Sequence, residues 1–132
     1  MKNNWAKMSL DAYEASKLLH HSGHYRSAIS RAYYAACSAM VAELSDAKGI
    51  RFGHGGTNPS HAKLPLMIKG LDDRVHAHYV KMRMKQTLTK MRSDREKADY
   101  VDSWTANPKN SLQSVFGAKY ILEALGIGRG TL

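Results

Sequence analysis

Residues 25–44 read YRSAISRAYYAACSAMVAEL, and this stretch decides the fold. Ile29, Ala32, Tyr33, Ala36 and Met40 recur at three- and four-residue steps, the spacing of one helical face. Ala28, Ala35, Ala39 and Ala42 extend that face almost round the circumference. A helix apolar on most sides belongs at the centre of a bundle, and its alanines let neighbouring helices approach closely. Tyr33 is read as core. Tyr34, with Arg31 and Ser38, falls on the less apolar side, where it would line a cleft or a dimer seam. Cys37 is read as a packed small side chain and not as a nucleophile.

Upstream, Trp5, Met8, Ala12, Ala15 and Leu19 mark the apolar face of a first helix that stops near Gly23. Downstream, the glycine loop GIRFGHGGTNPS occupies residues 49–60. Asn58-Pro59-Ser60-His61 then enters a short third helix ending near Gly70, with Pro65 tolerable only in its first turn. A long fourth helix follows Asp72-Asp73, which suit the positive N-terminal end of a helix, and runs to about Tyr100. Asn107-Pro108 marks a break, and Ser111 to Leu125 forms a fifth helix closed by Gly126. No run of alternating strand residues competes. The expectation is one all-α domain over residues 1–132, an antiparallel bundle of four to five helices, with its core at about 5–125 and a flexible tail at 126–132.

The 132 residues carry 20 Lys+Arg against 11 Asp+Glu, a net charge of +9 that favours an anionic partner, nucleic acid first. Hydrophobic residues at 43% and charged residues at 23% describe a globular chain and not a disordered one. A single cysteine excludes an intrachain disulfide framework and a multi-cysteine zinc site. No apolar run approaches the roughly 18 residues of a membrane span. The start, MKNNWAKMSLDAYEASK, has no apolar signal core, so a soluble cytoplasmic protein without a membrane partner is expected. His20 and His24, and His76 and His78, lack a carboxylate or cysteine partner at a set spacing, so no metal or cofactor is expected. The GHGG loop lacks the pattern of a phosphate loop.

The fourth helix holds most of the charge. Between Lys81 and Lys97 stand seven basic residues against Asp94 and Glu96, a net +5. Met84, Leu88, Met91 and Ala98 form its inward stripe, and Arg95 falls in the middle of that stripe. An ionised arginine there must be paired or face a cavity, because isolated burial is too costly. One reading is a structural pair with Asp99, four residues on, or a side chain that snorkels to water. The other is a guanidinium held toward a phosphate, with Arg92 on the same flank. Arg83, Lys90 and Lys97 repeat every seven residues on another flank, either as a solvated face or as a stripe tracking RNA or DNA. Val75, Tyr79 and Met82 point almost opposite to the apolar stripe. This implies either a kink near Arg83 or a second cover, which a homodimer contact would supply.

The segments YRSAISRAYYAACSAM (residues 25–40), Ser60-His61 and MRSDREKADY (residues 91–100) together resemble the HEPN domains, most closely their short stand-alone prokaryotic members. The resemblance covers roughly residues 9–125. It implies a compact helical bundle, usually a dimer with its active residues facing a shared cleft. Many members are metal-independent ribonucleases that act as toxins, antiphage effectors or CRISPR-associated nucleases. Many are encoded beside a minimal nucleotidyltransferase that serves as antitoxin.

Catalytic members carry an arginine followed, after four to six residues, by a histidine. Arg95 matches the arginine, but Tyr100 stands four intervening residues later, and no histidine follows His78. Asp99-Tyr100 replaces the pair, as in related members with an R-x-x-A-D-Y segment. Metal-free RNA cleavage needs a base near the 2′-hydroxyl and a cation for the charge developing on phosphorus. Arg95 and Arg92 can supply the cation. Asp99, Tyr100 and His61 are the candidates to complete the site, although a neighbouring arginine makes Asp99 a weaker base. His61 beside Ser60 reads equally as a helix-start residue bonded to backbone.

Arg92, Arg83, Lys85, Lys90, Lys97 and Arg31 are the candidate nucleic-acid contacts. The expected function is an RNA-directed effector, a toxin or an antiphage ribonuclease with a degenerate motif. The alternative is a catalytically silent module that holds nucleotide or RNA, or serves as a subunit of a larger defence complex.

Overall fold

The alanine-rich helix sits where its composition sends it. The computed structural model describes residues 4–48, 64–71 and 77–128. In chain order these form α1 (Asn4–His21), α2 (Tyr25–Lys48), α3 (Leu64–Met67) continued by a 3-10 turn (Ile68–Gly70), α4 (His78–Tyr100) and α5 (Pro108–Ala124). No strand occurs among the described residues, and the expected all-α bundle is the fold. The glycine loop, His61, the Asp72-Asp73 pair, Val75 and His76 lie outside the described residues.

α2 packs against α1, α4 and α5 at once. Ala28, Ile29, Ala32, Tyr33, Ala35, Ala36, Ala39 and Met40 are fully buried. Between residues 25 and 45 only Ser27, Arg31 and Tyr34 are exposed, a narrow strip at helical spacing. Burial of Ile29, Met40 and Leu44 stabilises the bundle by about 1.5–3 kcal/mol each.

The face of α1 differs from the expected one. Ala6, Ser9, Tyr13 and Ser16 are buried, whereas Met8 is 51% exposed. The buried set lies one residue on from the expected set, a rotation of about 100°. Two serines explain the error. Ser9 Oγ donates to the Ala6 carbonyl and Ser16 Oγ to the Tyr13 carbonyl, each at 2.7 Å. A hydroxyl satisfied within its own helix presents only a small surface to α2, so polarity did not mark the outer side. Trp5, Leu10 and Ala12 pack at the edge of the core.

The helix ends follow local chemistry. Gly23, at φ 81°, closes α1: Gly23 N–H bonds to the His20 carbonyl and His24 N–H to that of Leu19. The same paired bonds recur at Gly126, at φ 71°, after α5. Pro65 does stand in the first turn of α3. α4 starts at His78, later than expected, because Ala77 is extended, and its first turn carries no acidic residue. α5 starts at Pro108 and not at Ser111. Asn107 is its N-cap, in a reciprocal capping box with Asn110, and proline suits the first helical position.

On α4 the inward stripe Met84, Leu88, Met91 and Ala98 is buried as read, and Arg95 is buried within it. Lys81, the first of the seven basic residues, is also buried and donates from Nζ to the Leu71 carbonyl at 2.8 Å. It therefore anchors the turn after α3 and leaves the charged surface. Arg26, in the first turn of α2, ties down the far end of α4. It donates to the carbonyls of Ala98 (2.8 Å), Val101 (2.7 Å), Asp102 (3.2 Å) and Trp104. No described helix is long and apolar enough to cross a membrane.

Candidate functional site

Two segments far apart in sequence meet around one side chain. Arg95 is 7% exposed, and its guanidinium carbon lies 5.2 Å from the ring centre of Tyr33, 5.5 Å from Tyr34 and 5.7 Å from Tyr100. Tyr33 and Tyr34 come from α2 and Tyr100 from the last turn of α4. Aromatic faces attract the cation and replace part of the hydration it loses. They leave the in-plane N–H groups to other partners. Asp99 is the only carboxylate paired with Arg95 among the described residues. Its Oδ2 stands 3.7 Å from Nη1, too far for a good hydrogen bond. The same Oδ2 accepts from Ser30 Oγ at 3.2 Å. Arg95 Nε is buried and has no acceptor among the described residues.

This guanidinium remains charged. Burial pulls its pKa down, but Tyr34, Asp99, Tyr100 and Tyr33 together outweigh that and hold it above the ordinary value. Behind it the wall is dry. Burial pushes the Tyr33 phenol far above its usual range, and the Tyr33 hydroxyl is hydrogen-bonded to Cys37. Burial likewise pushes the Cys37 thiol up to about 11, which keeps it protonated and unreactive. In front the site is wet. Tyr34 is 39% and Tyr100 75% exposed. A cleft of about 420 Å³ opens there, lined by Ser93, Arg95, Glu96, Lys97, Tyr100 and Val101.

Arg95, Asp99, Tyr100 and Lys97 thus stand together. His61 lies outside the described residues. Arg92 is one turn back, with Nε 3.3 Å from Glu96. Lys85 shares with Arg92 a groove between α3 and α4. Arg31 is exposed on the strip that carries Tyr34. Arg83 and Lys90 are directed elsewhere. Arg83 lies over the Tyr120 ring of α5 at 4.6 Å, and Lys90 pairs with the buried Asp94 at 2.6 Å. Two members of the seven-residue stripe therefore have partners on the α5 side, and only Lys97 lines the Arg95 cleft. His20 Nδ1 is 2.8 Å from Ser111 Oγ, which joins α1 to α5. Among the described residues no three His, Cys, Asp or Glu side chains cluster as metal ligands.

Sequence reasoning missed Ser30, the aromatic role of Tyr33, and Arg26. Arg26 did leave a signal: a cation in the first turn of a helix opposes that helix's own dipole, and so calls for a partner elsewhere. Ser30 left none, since a serine on a packed helix is ordinary.

The sequence matches the family model described as the HEPN domain over residues 3–127. No curated protein matches it. The matched range spans the five described helices and contains both segments that enclose Arg95. From this match and the helical bundle it accompanies, the chain belongs to the HEPN domain family.

Proposed function

We propose that this HEPN domain is an RNA-directed effector in which Arg95 grips a backbone phosphate. One observation carries this: a charged guanidinium that lines a cleft, its faces covered by tyrosines and its carboxylate partner at 3.7 Å. Phosphate oxygens are the acceptors such an edge fits best. The activity proposed is that of a toxin or antiphage ribonuclease. In cleavage, the 2′-oxygen attacks the adjacent phosphorus, a 2′,3′-cyclic phosphate forms and the 5′-oxygen leaves. Arg95 would neutralise charge on the phosphorus oxygens, Asp99 would accept the 2′-proton, and Tyr100 would protonate the leaving oxygen.

A second reading, a silent RNA- or nucleotide-binding module, draws support from Asp99. That carboxylate already faces Arg95, and its Oδ2 accepts from Ser30, so the oxygen that would take a 2′-proton is occupied. The test is cleavage by purified protein in EDTA, with product ends analysed for cyclic phosphate. A ribonuclease gives that product, and Arg95→Lys abolishes it while the thermal transition stays within a few degrees. Wild-type protein that binds RNA and cuts nothing establishes the silent module. Equal cleavage by both proteins refutes the assignment of Arg95.

Partners follow from the same proposal. The exposed Tyr79 and Met82 of α4 support a homodimer, expected as a doubled mass in sedimentation at micromolar concentration. A nucleotidyltransferase antitoxin is the heterologous partner proposed, and its gene would lie next to this one.

A further inference from the structure

Arg95 and Asp99 stand four residues apart on α4, the spacing at which opposite charges close onto each other. This pair stays open. Asp99 Oδ2 is 3.7 Å from Arg95 Nη1, about 0.8–1.0 Å beyond a charge-assisted hydrogen bond. Earlier on the same helix, Lys90 and Asp94 have the same spacing and close fully, with Nζ 2.8 and 2.6 Å from the two carboxylate oxygens. Lys119 and Glu123 on α5 also stand apart, at 3.8 Å, but both are solvated and gain little by closing. Arg95 and Asp99 are sheltered, with side chains 9% and 27% exposed, and charges attract more strongly there. Their separation needs a cause.

The cause on the page is Ser30. From α2 its Oγ donates to the same Asp99 Oδ2 at 3.2 Å. Ser30 lies one turn before Tyr33 and Tyr34. Adjacent turns of α2 thus present two rings to Arg95 and a hydroxyl to its counter-ion.

We propose that Ser30 is a positioning residue, which anchors Asp99 short of Arg95 and leaves the edge of the guanidinium to a ligand phosphate. A carboxylate closed onto Arg95 and a phosphate bound there use the same N–H groups, so one excludes the other. Without the Ser30 hydroxyl, Asp99 becomes an internal competitor that shuts the site. This rests on the reading of Arg95 as a phosphate ligand and adds the group that controls access to it.

The experiment has two arms. Crystal structures of wild type and Ser30→Ala measure the pair. Fluorescence anisotropy of the full chain with a labelled 2′-O-methyl octauridylate, which resists cleavage, measures binding. Ser30→Ala should bring an Asp99 oxygen within about 3.0 Å of Arg95 Nη1. It should also weaken binding by about three- to tenfold, the worth of one hydrogen bond. In an Asp99→Asn background the same substitution should change affinity by less than about twofold, because the charged competitor is gone. Ser30→Thr keeps the hydroxyl and should bind like wild type.

A serine that only supports the fold would lower affinity alike in both backgrounds, and that result overturns the proposal. So does an Asp99 that keeps its wild-type distance in Ser30→Ala. If Arg95→Lys weakens binding but closure of the pair does not, the role of Ser30 fails and the phosphate reading stands. If the octamer binds wild type and Arg95→Lys equally, or binds neither, the phosphate reading falls and takes this proposal with it.

Discussion

Arg26 and Arg95 both connect α2 to α4, yet they do opposite things with the same functional group. Arg26 is filled with backbone: five carbonyls at the end of α4 and in the following loop accept from it, and the Trp104 ring centre lies 5.9 Å from its guanidinium. It completes the C-terminal carbonyls that a helix leaves unpaired and favours the negative end of the dipole. Arg95, one turn back from that end, meets three rings and a distant carboxylate. A guanidinium whose two terminal nitrogens both donate to backbone carbonyls is structural. One whose faces are covered and whose edge is under-filled is prepared for a ligand. The acceptors in reach, and not burial or residue type, separate the two.

The largest effect expected is therefore a crossed one. Arg26→Ala should lower unfolding stability by about 1–3 kcal/mol, because it removes the part-buried bonds to the Ala98 and Trp104 carbonyls. Arg95→Lys should cost under about 1 kcal/mol, since charge and packing remain, but should lower RNA affinity by about tenfold or more. Urea melts and RNA titrations of both variants measure this. If Arg26→Ala melts like wild type, or the two variants lose the same amounts of stability and affinity, the distinction between the arginines collapses.

A second expectation contrasts the dry back of the Arg95 site with its wet front. The Cys37 thiol titrates at 9.0 when free and at about 11 in the fold. Between those values the unfolded chain has lost a proton that the folded chain keeps, so stability falls as pH rises from 9 to 11. The loss is about 2–3 kcal/mol at full extent. Tyr33, also raised by burial, adds a loss of the same sign at higher pH. Urea midpoints at pH 8.5, 9.5 and 10.5 should fall in wild type and fall less in Cys37→Ala. Parallel curves for the two proteins would mean that water reaches the thiol.

The smallest effect concerns the link between the two segments. Ser30 and Asp99 should show a coupling energy of about 0.5–1 kcal/mol in a double-mutant cycle of Ser30→Ala and Asp99→Asn. Zero coupling would leave the Tyr33 and Tyr34 rings as the link from Arg95 to α2, and would remove Ser30 from the site.

Much of this was legible in the sequence, for reasons local to each helix. The alanine and aliphatic spacing of residues 28–42 put α2 at the centre. Gly23 and Gly126 marked two helix ends because only glycine enters the left-handed conformation at no steric cost. Arg95 stood out as a cation on an apolar stripe, and Asp99 lay within one turn of it. Where local rules met a second option, they failed. Ser9 and Ser16 are polar but satisfied within α1, so its buried face lies about 100° from the face marked by Trp5, Met8 and Ala12.

What the sequence by itself determined is thus the periodicity, the helix stops and the one misplaced charge, all consequences of 3.6 residues per turn and of backbone stereochemistry. Tertiary structure decided which cations are taken. Arg26 reaches carbonyls more than seventy residues away, and Ser30 meets Asp99 across 69. Arg83 turns to Tyr120 on another helix, and Lys81 enters the interior. A guanidinium or ammonium is free or filled according to which acceptors and rings other helices bring to it. No spacing along one helix encodes that, because the partners lie on elements whose approach is set by packing.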